Sequence, residues 1–278
     1  MTTQAARPKA LVIRAPGTNC DQEMCRAFEL AGAASELLHL DALVQDPAQF
    51  ERFQLIGFPG GFSYGDDIAS GRIFAMRCRE KLYPALRASV DRGVPIIGAC
   101  NGFQVLVQIG LLPGPAAGQP WPSEHAPEQS VALTDNENGR FCDRWVGMVA
   151  EPKSKCIWTK GIELSIDPRD TDDVWMFPVA HGEGRFICKD ESVLRELESG
   201  GRVALRYADN YNGSQNAIAG ICDDSGLIFG LMPHPERFLE WTRHPYWTRL
   251  EKRITQTTTP GLRVFQNAVN HTLSVSAH

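Results

Sequence analysis

The stretch VPIIGACNGFQVLVQIGLLPG, Val94 to Gly114, decides the class of fold. Its β-branched apolar run breaks at Gly98, a single cysteine follows, and beyond Gly102 the apolar residues take up helical spacing. A short buried strand running straight into a helix is the unit of a parallel sheet. The corner itself, GACNG, has the glycine-x-nucleophile-x-glycine form of a nucleophile elbow, with Cys100 at its centre. Such a turn strains the central residue and holds its side chain above the carboxyl edge of the sheet. The helix opening at Asn101 aims free N–H groups and its positive dipole end at the sulfur, which enlarges the thiolate fraction. A strand-end cysteine on its own usually packs as a small hydrophobe. What else surrounds this thiol therefore decides its role.

The same alternation extends outward from the corner. KALVIRAPG, Lys9 to Gly17, reads as a strand ending in a Pro-Gly turn, and CDQEMCRAFELAGA reads as a helix stopped at Gly32. QLIGFPGG, Gln54 to Gly61, is a second strand, and EKLYPALRASVDRG is a helix that tolerates Pro84 or starts near it. From Phe141 onward the runs become shorter and strand-like: RWVGMVA, IELSI, FPVAHGEGRFIC and RVALRYA. NAIAGICDDSGLIFGLM then reads as a hairpin turning at Asp223–Gly226. The expectation is a single α/β domain over residues 1–278. Its mostly parallel central sheet is flanked by helices, with a short antiparallel portion. Two segments read as peripheral: Gly114–Ser130, rich in Pro, Gly and Ala, and residues near 239–261, which mix Trp, Arg and Thr without periodicity. Leu262, Phe265, Ala268, Val269 and Leu273 mark a closing amphipathic helix.

Bulk properties exclude several classes of function. The net charge is −5, and no basic block is long enough to track a phosphate backbone, so nucleic acid is not the expected partner. No apolar stretch reaches the length of a membrane span, and MTTQAARPKA lacks the apolar core of a secretory signal. The eight cysteines form no C-x-x-C pair and no zinc-finger spacing, which fits a reducing, cytoplasmic setting.

Two further stretches supply partners for the thiol. LMPHPER, Leu231 to Arg237, sets His234 and Glu236 two residues apart. Prolines 233 and 235 push Met232 and His234 toward extended backbone, where residues i and i+2 project to one side. An imidazole base beside a carboxylate that orients it completes a Cys100–His234–Glu236 triad. GFPGGFSYGDD, Gly57 to Asp67, is a strand running into glycines that bring bare N–H groups close to a ligand. Gly61 N–H and Asn101 N–H would then form an oxyanion hole, where losing one donor costs on the order of 100- to 1,000-fold in rate.

Taken together, these stretches resemble the class I, triad-type glutamine amidotransferases, a family with a flavodoxin-like sheet. APGTNCDQE, FPGGFSYGDDIASGRI, GACNGFQVLVQIGLLPG, RWVGM, VAHGEGRF, NGSQNAIAGI and GLMPHPER look more narrowly like the glutaminase subunits of phosphoribosylformylglycinamidine synthases. That resemblance covers about Ala10 to Arg237 and resumes at GLRVFQNAV. It implies Cys100 as nucleophile, His234 as general base and acid, and Glu236 as its orienting partner. Gln104 would lean toward the glutamine pocket, which Gly60, Phe62, His181, Gly182 and Glu183 would help to form. His181 in HGEG also stands two residues from a glutamate, but its glycines suit close approach to a ligand better than a rigid acid–base pair.

The chemistry so implied is hydrolysis of L-glutamine to glutamate and ammonia through a glutamyl thioester. The ammonia passes to a synthetase subunit of the purine pathway that binds ATP and Mg, together with a small third subunit. This chain has no P-loop, so ATP and the ribonucleotide are expected on the partner; the resemblance implies no metal or organic cofactor on this subunit. The insertions carry Trp121, Trp241, Tyr246 and Trp247, which either anchor a partner or pack over the core.

Other readings compete. A class I amidotransferase serving a different synthetase shares the triad but gives no account of GGFSYGD or AHGEGR. A redox or interaction module uses Cys100 but has no use for His234 and Glu236. A cysteine α/β-hydrolase places its acid before the histidine and far from it, unlike the two-residue spacing here.

Overall fold

The apolar run Ala10–Ile13 lies at the centre of β1 and is buried on both faces, as a strand enclosed by parallel neighbours must be. The computed structural model describes residues 7–162 and 174–275. Its strands are β1 (Lys9–Arg14), β2 (Ala34–His39), β3 (Leu55–Phe58), β4 (Ile96–Ala99), β5 (Val131–Asp135), β6 (Cys142–Ala150), β7 (Met176–His181), β8 (Glu183–Cys188), β9 (Val203–Tyr207), β10 (Ile218–Cys222) and β11 (Ile228–Leu231). Its helices are α1 (Asp21–Leu30), α2 (Leu40–Gln45), α3 (Arg72–Lys81), α4 (Tyr83–Asp91), α5 (Asn101–Ile109), α6 (Glu191–Ser199), α7 (Lys252–Thr255) and α8 (Pro260–Val275).

The large sheet runs β2-β1-β3-β4-β11-β10-β9-β6-β7. Its first five strands pair in parallel, and the antiparallel portion continues from β11 through β10, β9, β6 and β7. β4 pairs on one side with β3 and on the other with β11, so the Cys100 corner stands between the glycine loop after β3 and the histidine segment after β11. Parallel strands end at the same edge, and that shared edge is what gathers three distant stretches into one place. The helices flank the sheet: α1 packs with α8 through Phe28 and Phe265, whose rings meet at 5.2 Å, while α3 packs against α4 and α5.

Several local expectations are refined. The helix carrying Pro84 starts at Tyr83 and is separated from α3 at Leu82, because proline is accommodated in a first helical turn and not in an interior one. FPVAHGEGRFIC is two strands. β7 ends the large sheet, whereas β8 pairs with β5 in a separate two-stranded ribbon, the chain dividing at Gly182. The hairpin turns where expected: the Asp223 carboxylate accepts from the N–H groups of Ser225 and Ile228, at 3.1 and 2.9 Å. Of IELSI only Ile162 is among the described residues; the rest of that run lies outside them.

The peripheral segments mostly serve their own core. Trp121 lies against Gly114, and Tyr83 donates to the neighbouring Pro122 carbonyl at 2.8 Å. Trp241 is buried, donates to Thr257 O at 2.7 Å and stacks edge-on to Phe238, while Trp247 is exposed.

Candidate active site

Cys100 occupies the turn between β4 and α5 with φ of 52° and ψ of −110°, a conformation a non-glycine residue holds only where its surroundings enforce it. Its N–H donates to Leu231 O at 2.8 Å, tying the elbow to the end of β11. Both flanking glycines are sterically required. A β-carbon at Gly98 would lie 2.6 Å from Gly102 O, and one at Gly102 would overlap the Phe58 carbonyl. The thiol, only 5% exposed, points to Ala180 O at 3.6 Å.

His234 arrives from the far end of β11, with its N–H bound to Pro178 O at 2.9 Å. The backbone is not extended through Glu236 as expected. Residues Pro235–Arg237 form a single tight helical turn, because a proline φ near −65° suits the first position of such a turn. That turn folds Glu236 back on the imidazole, and His234 Nδ1 and Glu236 Oε1 meet at 2.7 Å. Both side chains are almost wholly buried. Burial disfavours a charged ring, but the Glu236 carboxylate and the Cys100 thiol outweigh it and hold the His234 pKa well above its usual value. The thiol, the imidazole and the carboxylate thus stand together in one buried cluster.

The glycine loop after β3 closes over this cluster. Gly60 abuts the His234 ring and accepts the Cys20 N–H through its carbonyl at 3.2 Å. Gly61 has φ of 137°, and a β-carbon there would lie 2.6 Å from Asn19 N. Neither the Gly61 nor the Asn101 N–H meets an acceptor among the described residues. The side chain of Asn101 is fully engaged: Oδ1 accepts from Ser63 Oγ at 2.6 Å, and Nδ2 lies near Asp66 Oδ1 and Gln104 Oε1 at 3.2 and 3.0 Å. It braces the loop against the elbow. Burial, reinforced by the nearby Glu183 carboxylate, raises the Asp66 pKa.

The remaining expected contacts divide. Gln104 is buried with both ends of its amide committed, Oε1 to Asn101 and Nε2 to the Glu183 carbonyl. Each end of the amide thus has a protein partner that fixes its orientation. His181 has neither ring nitrogen available as a base: Nδ1 faces Asn136 Oδ1 at 3.1 Å and Nε2 faces Tyr211 Oη at 2.6 Å. Burial, then the neighbouring His234, lowers its pKa to about 3. Gly184 lies directly under that ring, and Gly182 O accepts from Asn136 N at 2.8 Å. Glu183 Oε2 accepts from Ser70 N at 3.2 Å. Phe62 lies at the surface, stacked on Phe141 with ring centroids 6.1 Å apart.

Sequence reasoning missed Cys20. Its Sγ lies 3.9 Å from His234 Nδ1 and accepts from Arg237 Nη2 at 3.1 Å. The signal available was position: TNCD stands directly before α1, so it ends at the same sheet edge as the elbow.

With thiol, imidazole, carboxylate and two free N–H groups at one corner, comparison with known proteins is decisive. The profile of the CobB/CobQ-like glutamine amidotransferase domain matches residues 7–272. The chain belongs to that amidotransferase family. It is 40% identical to phosphoribosylformylglycinamidine synthase subunit PurQ of Dehalococcoides mccartyi, over 95% of this chain and 97% of that one. The identity to the PurQ subunit of Methanococcus maripaludis is 38%, again over 95% and 97%. Among solved structures, this amidotransferase superposes on a chain of PurLQS from Thermotoga maritima with a TM-score of 0.67 and 30% identity, covering 95% of this chain and 99% of that one. None of the described helices is long and apolar enough to cross a membrane.

Proposed function

We propose that this chain is the glutaminase subunit of a phosphoribosylformylglycinamidine synthase. The observation that carries the reading is the buried Cys100–His234–Glu236 cluster on a strained elbow, with two unclaimed N–H groups beside it. The close PurQ relatives, matched over nearly their whole length, select the synthase among amidotransferases.

Cys100 attacks the side-chain amide carbon of glutamine, and the carbonyl oxygen becomes anionic against Gly61 N–H and Asn101 N–H. His234 gives a proton to the departing nitrogen, ammonia leaves, and a glutamyl thioester remains on Cys100. The imidazole then takes a proton from water, whose oxygen attacks the thioester and releases glutamate. Glu236 holds the ring in position and stabilises its charged form throughout. Burial of all three groups keeps bulk water from competing during the first step.

Ammonia goes to a synthetase subunit, which carries the ATP, Mg and ribonucleotide sites, with a small third subunit in the assembly; the PurLQS match supports this arrangement. This subunit needs no cofactor of its own and works in the cytoplasm. Reconstitution with the synthetase tests the reading. Cys100→Ala should abolish glutamine-driven synthesis and leave ammonia-driven synthesis intact. Full glutamine-driven turnover in Cys100→Ala would overturn it, and activation of a different synthetase would reassign the acceptor.

A further inference from the structure

The mechanism leaves one group at its centre unused: Cys20. Its Sγ, a His234 ring nitrogen and a Glu236 carboxylate oxygen all lie within 4.8 Å of one another, and all three residues are buried. The individual separations are 3.9 Å from Cys20 Sγ to His234 Nδ1 and 2.7 Å from Nδ1 to Glu236 Oε1. A thiolate, an imidazole and a carboxylate form a ligand set that zinc accepts, with bonds of about 2.3, 2.0 and 2.0 Å and a fourth position left open. Closing these side chains onto such an ion needs movements on the order of 1 Å.

A second observation points the same way. Glu236 Oε2 is buried and has no hydrogen-bond partner among the described residues. A buried carboxylate oxygen without a partner is costly, and a cation satisfies it fully. Arg237 donates to Cys20 Sγ at 3.1 Å and is itself paired with Glu23 at 3.4 Å. An N–H donor to a thiolate is a normal outer partner of a zinc–sulfur bond. A cavity of about 360 Å³, bordered by Glu23, Trp145, Pro178, Glu236 and Arg237, reaches the cluster only at its carboxylate, Glu236 alone of the three side chains lining it.

We infer that Cys20, His234 and Glu236 form an inhibitory site for a zinc-like divalent cation. Binding displaces the proton from Nδ1 and the proton from the Cys20 thiol. A neutral ring keeps its single proton on Nε2, so one proton leaves overall; a charged ring loses one as well, and two leave. With Nδ1 on the metal and Nε2 protonated, the imidazole cannot take up a further proton, and its acid–base cycle stops. The ion is an inhibitor and not a cofactor. Its location stands on geometry alone, while its inhibitory effect rests on the glutaminase reading.

Cobalt(II) tests the location without using activity, since a cobalt–thiolate bond absorbs in the near ultraviolet. Cys100→Ala removes the alternative thiol on the same ring. Titrated with cobalt, this variant should show a thiolate-to-metal band that Cys20→Ser in the same background lacks. The affinity should fall by at least about 100-fold, the upper end of the loss seen when even an outer partner of a metal is removed. Circular dichroism on Cys20→Ser establishes that the near-isosteric change leaves the fold intact. Absence of the band in Cys100→Ala, or its persistence in Cys20→Ser, would overturn the inference. In the reconstituted synthase, zinc should suppress glutamine-driven turnover relative to each variant's own metal-free rate, in wild type but not in Cys20→Ser. Cobalt binding without inhibition would keep the site and remove its proposed effect, whereas loss of glutaminase in every form would count against the catalytic reading alone.

Discussion

Gly60 lies directly against the imidazole of His234: a β-carbon built on Gly60 would sit 2.6 Å from His234 Cε1 and 3.2 Å from Nδ1. The glycine loop is thus part of what sets the ring's position. Gly60→Ala displaces the imidazole from its present position, and a misplacement of about 1 Å can cost on the order of 100-fold in rate. Glutamine-driven kcat should fall by about 10- to 100-fold, with ammonia-driven synthesis unchanged. Steady-state rates with the two nitrogen donors check this, and an unaltered glutamine rate would contradict it.

Within the His234–Glu236 pair the two roles separate by size of effect. In the proposed mechanism His234→Ala removes the proton carrier, and general acid–base catalysis is worth about 100- to 10,000-fold. Glu236→Gln keeps an oxygen for Nδ1–H and loses only the charge and some of the orientation, so its loss of kcat should be smaller. Rates for both variants in the reconstituted enzyme decide the matter. A greater loss for Glu236→Gln would reverse the assignment.

Asn101 couples the elbow to the glycine loop through Ser63, Asp66 and Gln104. Asn101→Ala strands the buried hydroxyl of Ser63 and the Gln104 oxygen, a cost of about 1–3 kcal/mol. The urea midpoint should drop accordingly, and glutamine turnover should fall because Gly61 is no longer held in register with the Asn101 N–H. A midpoint equal to wild type would show that the brace contributes nothing.

His181 makes stability depend on acid. Its pKa is lowered to about 3 by burial and by the neighbouring His234, against an ordinary value of about 6.5 in the unfolded chain. Between those values the unfolded state binds more protons, so stability is fully present above about 6.5 and is lost as pH falls toward 3. Asn136, Tyr211 and His234 are the groups that meet this ring. Relative to His181→Gln, the wild-type chain should lose on the order of 2 kcal/mol between pH 6.5 and 4.5. Urea unfolding of both chains across that range measures it, and parallel curves would refute it.

Much of this protein is readable from local chemistry. The elbow is legible because GACNG alone satisfies the sterics of its turn: two residues without side chains, pressed against Leu106 and Phe58, around one strained cysteine. The hairpin at Asp223–Gly226 and the doubly buried strands are legible for the same reason, since turn chemistry and burial on both faces act over a few residues. The half-buried stretches escaped that logic. β2 is only half-buried along its length, and β8 leaves the main sheet for a ribbon with β5, a choice made by distant partners.

The same division runs through the site. Residue types and spacing singled out Cys100, His234 and Glu236 as candidates, because a nucleophile, a base and a carboxylate are recognisable by their chemistry. Tertiary structure alone decided that Glu236 reaches the imidazole through a tight turn, that both His181 nitrogens are taken by Asn136 and Tyr211, and that Cys20 stands beside His234. The last of these depends on parallel strands ending at one edge, which brings together two side chains 214 residues apart in the chain, and the His181 contacts span 45 and 30 residues. Spacing along a polypeptide carries no record of such distances; only the packing of the sheet sets them.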